Sequence, residues 1–198
     1  ENVSGSGRKS VGYMGTLASN PLDDAIVHGV DTHMLSGNGK LSWDTQLLTS
    51  DVEDQTGYGF FTDLNYSPRQ GQRHKIKVDA LDDQLDISDL GFLRRNDAYG
   101  FSYMYSQYKS QGIANRLRNR MWGLFVSGQQ NEAGYMTQSY LGFWSRFLFQ
   151  DNSELSLNAE WIPPRYDDRN SRGNGTYRID GGHLVYASYG TSTAKKIS

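Results

Sequence analysis

The chain has 198 residues, a formal net charge of −2 and no cysteine. That excludes a disulfide framework and thiol chemistry and argues against a nucleic-acid partner, whose phosphates call for a basic surface. The 22 glycines and 13 tyrosines favour strands and turns over helices, and no segment approaches the roughly 18 apolar residues of a membrane-spanning helix. A transmembrane barrel strand crosses with about ten alternating residues and leaves mean hydropathy low, so the membrane itself stays open.

The chain opens ENVSGSGRKS, with no initiator Met, charged leader or apolar leader segment, and closes STAKKIS, without the terminal aromatic usual in outer-membrane barrels. Both ends read as those of a mature piece or a fragment. GSGRKS lacks the glycine spacing of a phosphate-binding loop.

Period-two patterning then predicts about ten strands, near residues 10–18, 26–36, 40–50, 57–67, 73–81, 98–109, 116–128, 133–149, 153–162 and 177–189. Leu41, Trp43, Thr45 and Leu47 oppose Lys40, Ser42, Asp44 and Gln46. Tyr58, Phe60, Thr62, Leu64 and Tyr66 repeat the pattern, with Phe61 as an apolar exception on the polar side. After the turn at Ser67 to Gly71, His74, Ile76, Val78 and Ala80 oppose Lys75, Lys77 and Asp79, which makes a hairpin. Phe101, Tyr103 and Tyr105 continue the alternation, as do Leu155, Leu157, Ala159 and Trp161.

Two strands fit less well. Arg118 and Arg120 share parity with Trp122, Leu124 and Val126, which calls for an interfacial position or a bulge. Tyr135 to Phe149 carries aromatics on both faces, consistent with an inner contact or a two-sided sandwich strand. Connections alternate between short (SGNG, SPRQGQ, SQGIAN, QDNS) and mostly longer (SNPLDD, SDVEDQTG, DDQLDISDLGFLRRND, IPPRYDDRNSRGNG), as on the two rims of an outer-membrane barrel. Trp43, Tyr58, Tyr66, Tyr99, Trp161 and Tyr177 near strand ends suit interfacial girdles or ordinary strand packing.

The fold expected is therefore all-β, an antiparallel up-and-down transmembrane β-barrel in one domain over residues 1–198, as a fragment of a larger barrel. A soluble β-sandwich is the competing architecture. On the barrel reading Lys40, Asp44, Asp63, Lys75, Lys77, Asp79, Arg146 and Glu160 face the lumen, either lining a wet channel or closing a narrow one with salt bridges.

Little catalytic chemistry is legible. His28 and His33, five residues apart, fall on opposite faces of a strand and cannot readily share a metal. His74 and His183 are isolated, and the acidic run Asp82, Asp83, Asp86, Asp89 lacks the spacing of a calcium loop. No nucleophile elbow is present, so no catalytic residue, metal or cofactor is assigned.

The run VDALDDQLDISDLGFLRRNDAYGFSYMYSQY, Val78 to Tyr108, with its core Asp89 to Asp97, resembles the barrel domain of a family of large Gram-negative outer-membrane proteins. In that family a family-nine-type carbohydrate-binding module precedes a barrel of unassigned function. GVDTHMLSGNGKLSWDTQLLTS, Gly29 to Ser50, resembles the same family's pair of strands around a Gly-rich turn. The resemblance implies a bacterial outer-membrane location and passage or surface handling of a solute, with carbohydrate by association. It names no catalytic residue. Partners implied are the lipid bilayer, lipopolysaccharide, a glycan, and the remainder of the barrel or other chains.

Within the core run, Asp89, Arg94, Arg95 and Asp97 are expected to form a charged clasp between loops, with Leu90, Phe92 and Leu93 tucked against the rim. The alternative is contact with an anionic ligand. Two other functions stay open beside the barrel: a barrel-embedded lipid or glycan hydrolase, and a soluble module binding sugar through Trp122, Trp144 or Trp161.

Overall fold

Each long segment in which apolar and polar residues alternate becomes a strand, because only an extended backbone sends successive side chains to opposite faces. The computed structural model describes residues 2–4, 7–19, 24–88, 93–111, 114–171 and 174–192. The strands are β1 (Asn2–Ser4), β2 (Gly7–Ser19), β3 (Asp24–Ser36), β4 (Leu41–Val52), β5 (Gln55–Tyr66), β6 (Gln72–Leu81) and β7 (Ala98–Lys109). They continue with β8 (Leu117–Gln130), β9 (Met136–Phe149), β10 (Glu154–Ile162), β11 (Arg165–Asp167), β12 (Tyr177–Ile179) and β13 (Gly182–Gly190). Among the described residues there is no helix.

The ten long strands, with short β1 at one edge, form one sheet in which each is hydrogen-bonded to its neighbours in sequence, β1 through β10 and then β13. The sheet is antiparallel throughout and is not closed: β1 and β13 are its edges. β11 and β12 make a separate two-stranded ladder inserted between β10 and β13. The predicted last strand thus divides in two: Tyr177–Ile179 pairs with β11, and the sheet strand begins only at Gly182. The two facing sheets of a sandwich are not formed among the described residues.

The register explains both irregular segments. A shift between Leu117 and Asn119 marks a bulge at Arg118, whose guanidinium donates to Asn152 Oδ1 at the neighbouring turn over 2.9 Å. Arg120 stays in the ladder opposite Lys109 and Phe147, near the strand end. In β9 the second face holds Tyr140 and Trp144. Trp144 lies across Gly123, where an added Cβ would meet the indole at 2.7 Å, so the ring covers backbone that has no side chain of its own.

Directly opposed residues of an antiparallel ladder share a face, so the register sorts every strand residue to one side or the other. One face carries Val11, Tyr13, Ile26, Val30, Trp43, Leu47, Tyr58, Phe60, Val78, Tyr99 and Phe101. It continues with Leu124, Val126, Leu141, Phe143, Leu157, Trp161 and Val185. This apolar face is uncovered even in mid-sheet, with Leu47 54% and Phe101 48% exposed.

The opposite face takes the charges, and the small core lies on it, at one end. There Ala25, Val27, Leu81 and Ala98 are buried beneath the connection 82–97.

Not every connection has the expected length. SDVEDQTG closes as a two-residue turn, Glu53-Asp54, with φ of 51° and 62°. Two positive φ values in succession match the right-handed twist of the flanking strands, but they place non-glycine residues in the left-handed region. Long connections on that rim are confined to 82–97 and the segment between β10 and β13.

Replacing Glu53-Asp54 with Asn-Gly, the pair preferred at such turns, is expected to stabilise the fold by about 1 kcal/mol. The urea unfolding midpoint checks this.

Candidate functional site

The site grows from a strip of glycine. Gly57 and Gly59 of β5 leave the charged face without side chains, and the loop after β6 descends onto them. A Cβ on Gly57 would stand 2.3 Å from the backbone of Leu85, and one on Gly59 would stand 2.9 Å from the Leu85 side chain. Leu85 is fully buried there, a gain of about 2 kcal/mol in apolar transfer.

Hydrogen bonds then fix the loop. Ser50 Oγ accepts from the Asp86 amide at 3.0 Å, and Asp82 Oδ2 accepts from the Tyr58 amide at 2.7 Å. The Asn96 side-chain amide donates to the carbonyls of Asp83 and Leu85 at 2.7 and 3.2 Å.

A second connection locks onto the first. Arg95 binds Asp168 with two parallel bonds, Nη1 to Oδ1 at 2.8 Å and Nη2 to Oδ2. It is the bidentate geometry that guanidinium and carboxylate favour. Asn131 Nδ2 donates to the same carboxylate at 2.8 Å, and Arg169 donates to Asn96 Oδ1 at 2.6 Å. Asp97, at φ 50°, accepts from the Glu132 amide at 2.6 Å. Three connections, 82–97, 131–135 and 163–181, are thereby joined over one end of the charged face.

The electrostatics follow from these contacts. The Arg95 guanidinium holds the Asp168 carboxyl far below the usual carboxylate range. The Asn170 side chain, then the Asn170 and Arg169 amides, hold Asp167 down to about 2. A carboxylate whose pKa is lowered on folding stabilises the fold above its unfolded value, near pH 4, and loses that contribution as pH falls through the folded value.

Beneath the three connections lies a cavity of about 810 Å³. Its walls include Gln46 and Leu48 of β4, Phe61 of β5, Asp79 and Leu81 of β6, and Gln129 of β8; the loops supply Leu93, Arg94, Arg95 and Arg165 to Asn170.

The residues picked out from sequence separate here. Arg95 and Asp97 act within the clasp, whereas Arg94 is exposed, lines the cavity and has no side-chain partner among the described residues. Asp89, with Leu90 and Phe92, lies outside the described residues. Asp44, Asp63, Lys75, Lys77, Asp79, Arg146 and Glu160 all fall on the charged face. Lys40 precedes the ladder, in the turn between β3 and β4, where its carbonyl accepts from the Ser67 amide and the residue lines a hollow with Arg73, Ser106 and Met121.

Several of these charges pair along the face, Lys77 with Asp63 at 3.2 Å and Arg146 with Glu154. His33 bridges Asp31 at 3.0 Å and Asp44 at 2.8 Å. Its neighbour in sequence reading, His28, is on the apolar face, bonded to the Tyr13 hydroxyl at 2.8 Å. Among the described residues no group of His, Asp and Glu could hold a metal ion.

Sequence reading missed Asp168, Arg165 and Asn131. The only signal for Asp168 and Arg165 was the length of IPPRYDDRNSRGNG, since a pairing 73 residues away leaves no local pattern, and Asn131 carried no signal of its own.

Residues 15–197 match the model of a family described as a domain of unknown function, DUF5916. The chain belongs to this family. That description assigns neither an activity nor a location to DUF5916 members. No curated protein and no solved structure matches the chain.

Two outcomes are expected of the clasp. Asp168→Asn, which strips Arg95 of its charged partner, should cost roughly 2 kcal/mol and open loop 82–97 to protease, read by the rate of cleavage there. In the parent chain loop protection should be unchanged from pH 7 to about pH 4 and then decline progressively as the pH falls further toward the folded value, read by amide hydrogen exchange in 82–88 and 93–97.

Proposed function

We propose that this DUF5916 chain is part of an outer-membrane β-barrel of a Gram-negative bacterium that takes part in the passage or surface handling of a solute. The observation that carries this reading is the inverted distribution of polarity. Through the middle of the sheet, from β3 to β10, most of the large apolar side chains line one uncovered face, and most of the charges collect on the face that the connections cover at one end.

A sheet in water does the reverse, turning its apolar face to a second layer. An uncovered apolar face of this extent marks contact with a membrane or with other protein, and strands of nine to fourteen residues suit a bilayer crossing. No helix of the described chain is long and apolar enough to cross.

Aromatic placement adds support. Trp43 and Tyr66 stand near the turns at one end of the apolar face, and Tyr58, Tyr99 and Trp161 stand toward the other. From Tyr58 to Tyr66 is roughly 27 Å along the strand, about 20 Å along the axis for a tilt near 40°, comparable with the lipid-facing band of such barrels. The edges at β1–β2 and β13, where Val11 and Val185 are 75% and 80% exposed, require closure on each other or on further strands, because open edges invite aggregation. The resemblance of the 78–108 run to outer-membrane barrels with a carbohydrate-binding module favours a sugar as the solute and lipopolysaccharide as the outer neighbour.

Purified in detergent, the chain should show a β-sheet circular dichroism spectrum and migrate differently on a gel before and after boiling. A folded spectrum in plain buffer, with identical migration, would refute the proposal. Val126→Arg, a cation at mid-face, should cost about 2–4 kcal/mol of stability in lipid and lower the yield of folded chain in vesicles.

A further inference from the structure

The cavity under the clasp holds an imbalance of charge that the clasp does not resolve. Its lining has four arginines and three aspartates. Asp168 is taken by Arg95 and Asn131. Asp167 is taken by Asn170, the Arg169 amide and the Tyr177 hydroxyl. Asp79 lies across Gly100 beside Gln129. Arg94 and Arg165 have no side-chain partner among the described residues, and both face the cavity.

Around these two guanidinium groups the wall is built from neutral hydrogen-bonding groups and aromatic rings. Gln46, Gln129 and Gln138 enter from three different strands; Gln129 is already bonded to Asp79 and Thr137, and an amide can both give and accept. Tyr166, tilted against Tyr135 with ring centroids 5.1 Å apart, and Phe61 supply apolar surface. Phe61 is the one residue that breaks the alternation of β5, an apolar ring on the charged face. Apolar surface with a few converging polar groups is the make-up of a small-molecule site, and about 810 Å³ lies within the usual range of roughly 300–1,000 Å³.

We infer that this cavity binds a small acidic saccharide, its carboxylate held by Arg94 and Arg165, its hydroxyls by the glutamine amides and one ring face by Phe61. A carboxylate satisfies the unmatched cations bidentately. The hydroxyls of a sugar match side chains that both donate and accept, and the C–H face of a pyranose ring matches an aromatic ring. An anion lacking hydroxyls would leave the amide row unused. The inference rests on the proposed function only in taking the charged face as the side a solute reaches.

The test is calorimetric titration of the full chain, in whichever solvent keeps it folded, with the trimer of galacturonic acid, the neutral trimer of galactose and inorganic phosphate. The acidic trimer should bind at least tenfold more tightly than either comparator and weaken with added salt. Arg94→Gln and Arg165→Gln should each lower its affinity roughly tenfold. Phe61→Ala should weaken both trimers.

Each variant's circular dichroism spectrum is compared with the parent's, and since neither arginine's side chain makes a hydrogen bond or ion pair among the described residues, both arginine variants should fold. Equal binding of the two trimers, phosphate binding as tight as the acidic trimer, undiminished affinity in both arginine variants, or a folded chain that binds neither trimer would each overturn the inference. A detergent-folded chain that binds nothing leaves the barrel standing, whereas a chain folded in plain buffer that binds the acidic trimer refutes the barrel and keeps the site.

Discussion

Loop 82–97 can reach the sheet only because β5 presents glycine where it descends. Gly57 and Gly59 bring the backbone of Leu85 to within contact of the strand, a distance that any side chain at position 57 would forbid. Once Leu85 is seated, its neighbours are brought to Ser50, Tyr58 and Asn96, and the described parts of the loop are held in place. That placement in turn presents Arg95 to Asp168 and Arg94 to the cavity. The clasp, the cavity and the charge left within it therefore depend on two missing side chains in one strand.

Polarity is arranged around the same point. In a sheet with an apolar core between layers, burying apolar surface supplies most of the stability. Here the described residues bury few large side chains, and those cluster under the loops, while the broad apolar face has no protein cover. Stability in such a chain must come from the backbone ladders, the clasp and whatever contacts the apolar face. On the proposed barrel reading a bilayer supplies that contact without side-chain complementarity, and the irregular mixture of Leu, Val, Phe, Tyr and Trp on that face fits it.

The charged face shows a different economy. Lys77 with Asp63, Arg146 with Glu154, and His33 between Asp31 and Asp44 are exposed pairs, individually worth little in water. They keep the face neutral along most of its extent. At the cavity neutrality breaks down, because Arg94 and Arg165 arrive from two loops that each carry their own carboxylates into other bonds. The site proposed for this chain lies at that break, where among the described residues two cations stand without a side-chain partner beside glutamine amides and aromatic rings.

What the sequence determined by itself was whatever has a short period. Alternation at every second residue located nearly all the strands, the hairpin order and the face on which Asp44, Asp63, Lys75, Lys77, Asp79, Arg146 and Glu160 stand, since that is a property of an extended backbone alone. It also flagged the arginines of β8 and the doubled aromatics of β9 as departures, which have local causes in the strand register and in the bare backbone at Gly123, and Phe61, whose cause is the cavity it lines. Only the tertiary structure decided which connections are tight, that Tyr177–Ile179 leaves the main sheet for β11, and that adjacent Arg94 and Arg95 have different roles. Those outcomes depend on groups brought together across many residues, such as Arg95 with Asp168 and Leu85 with Gly57, and no spacing along the chain records a contact that exists only once the sheet has formed.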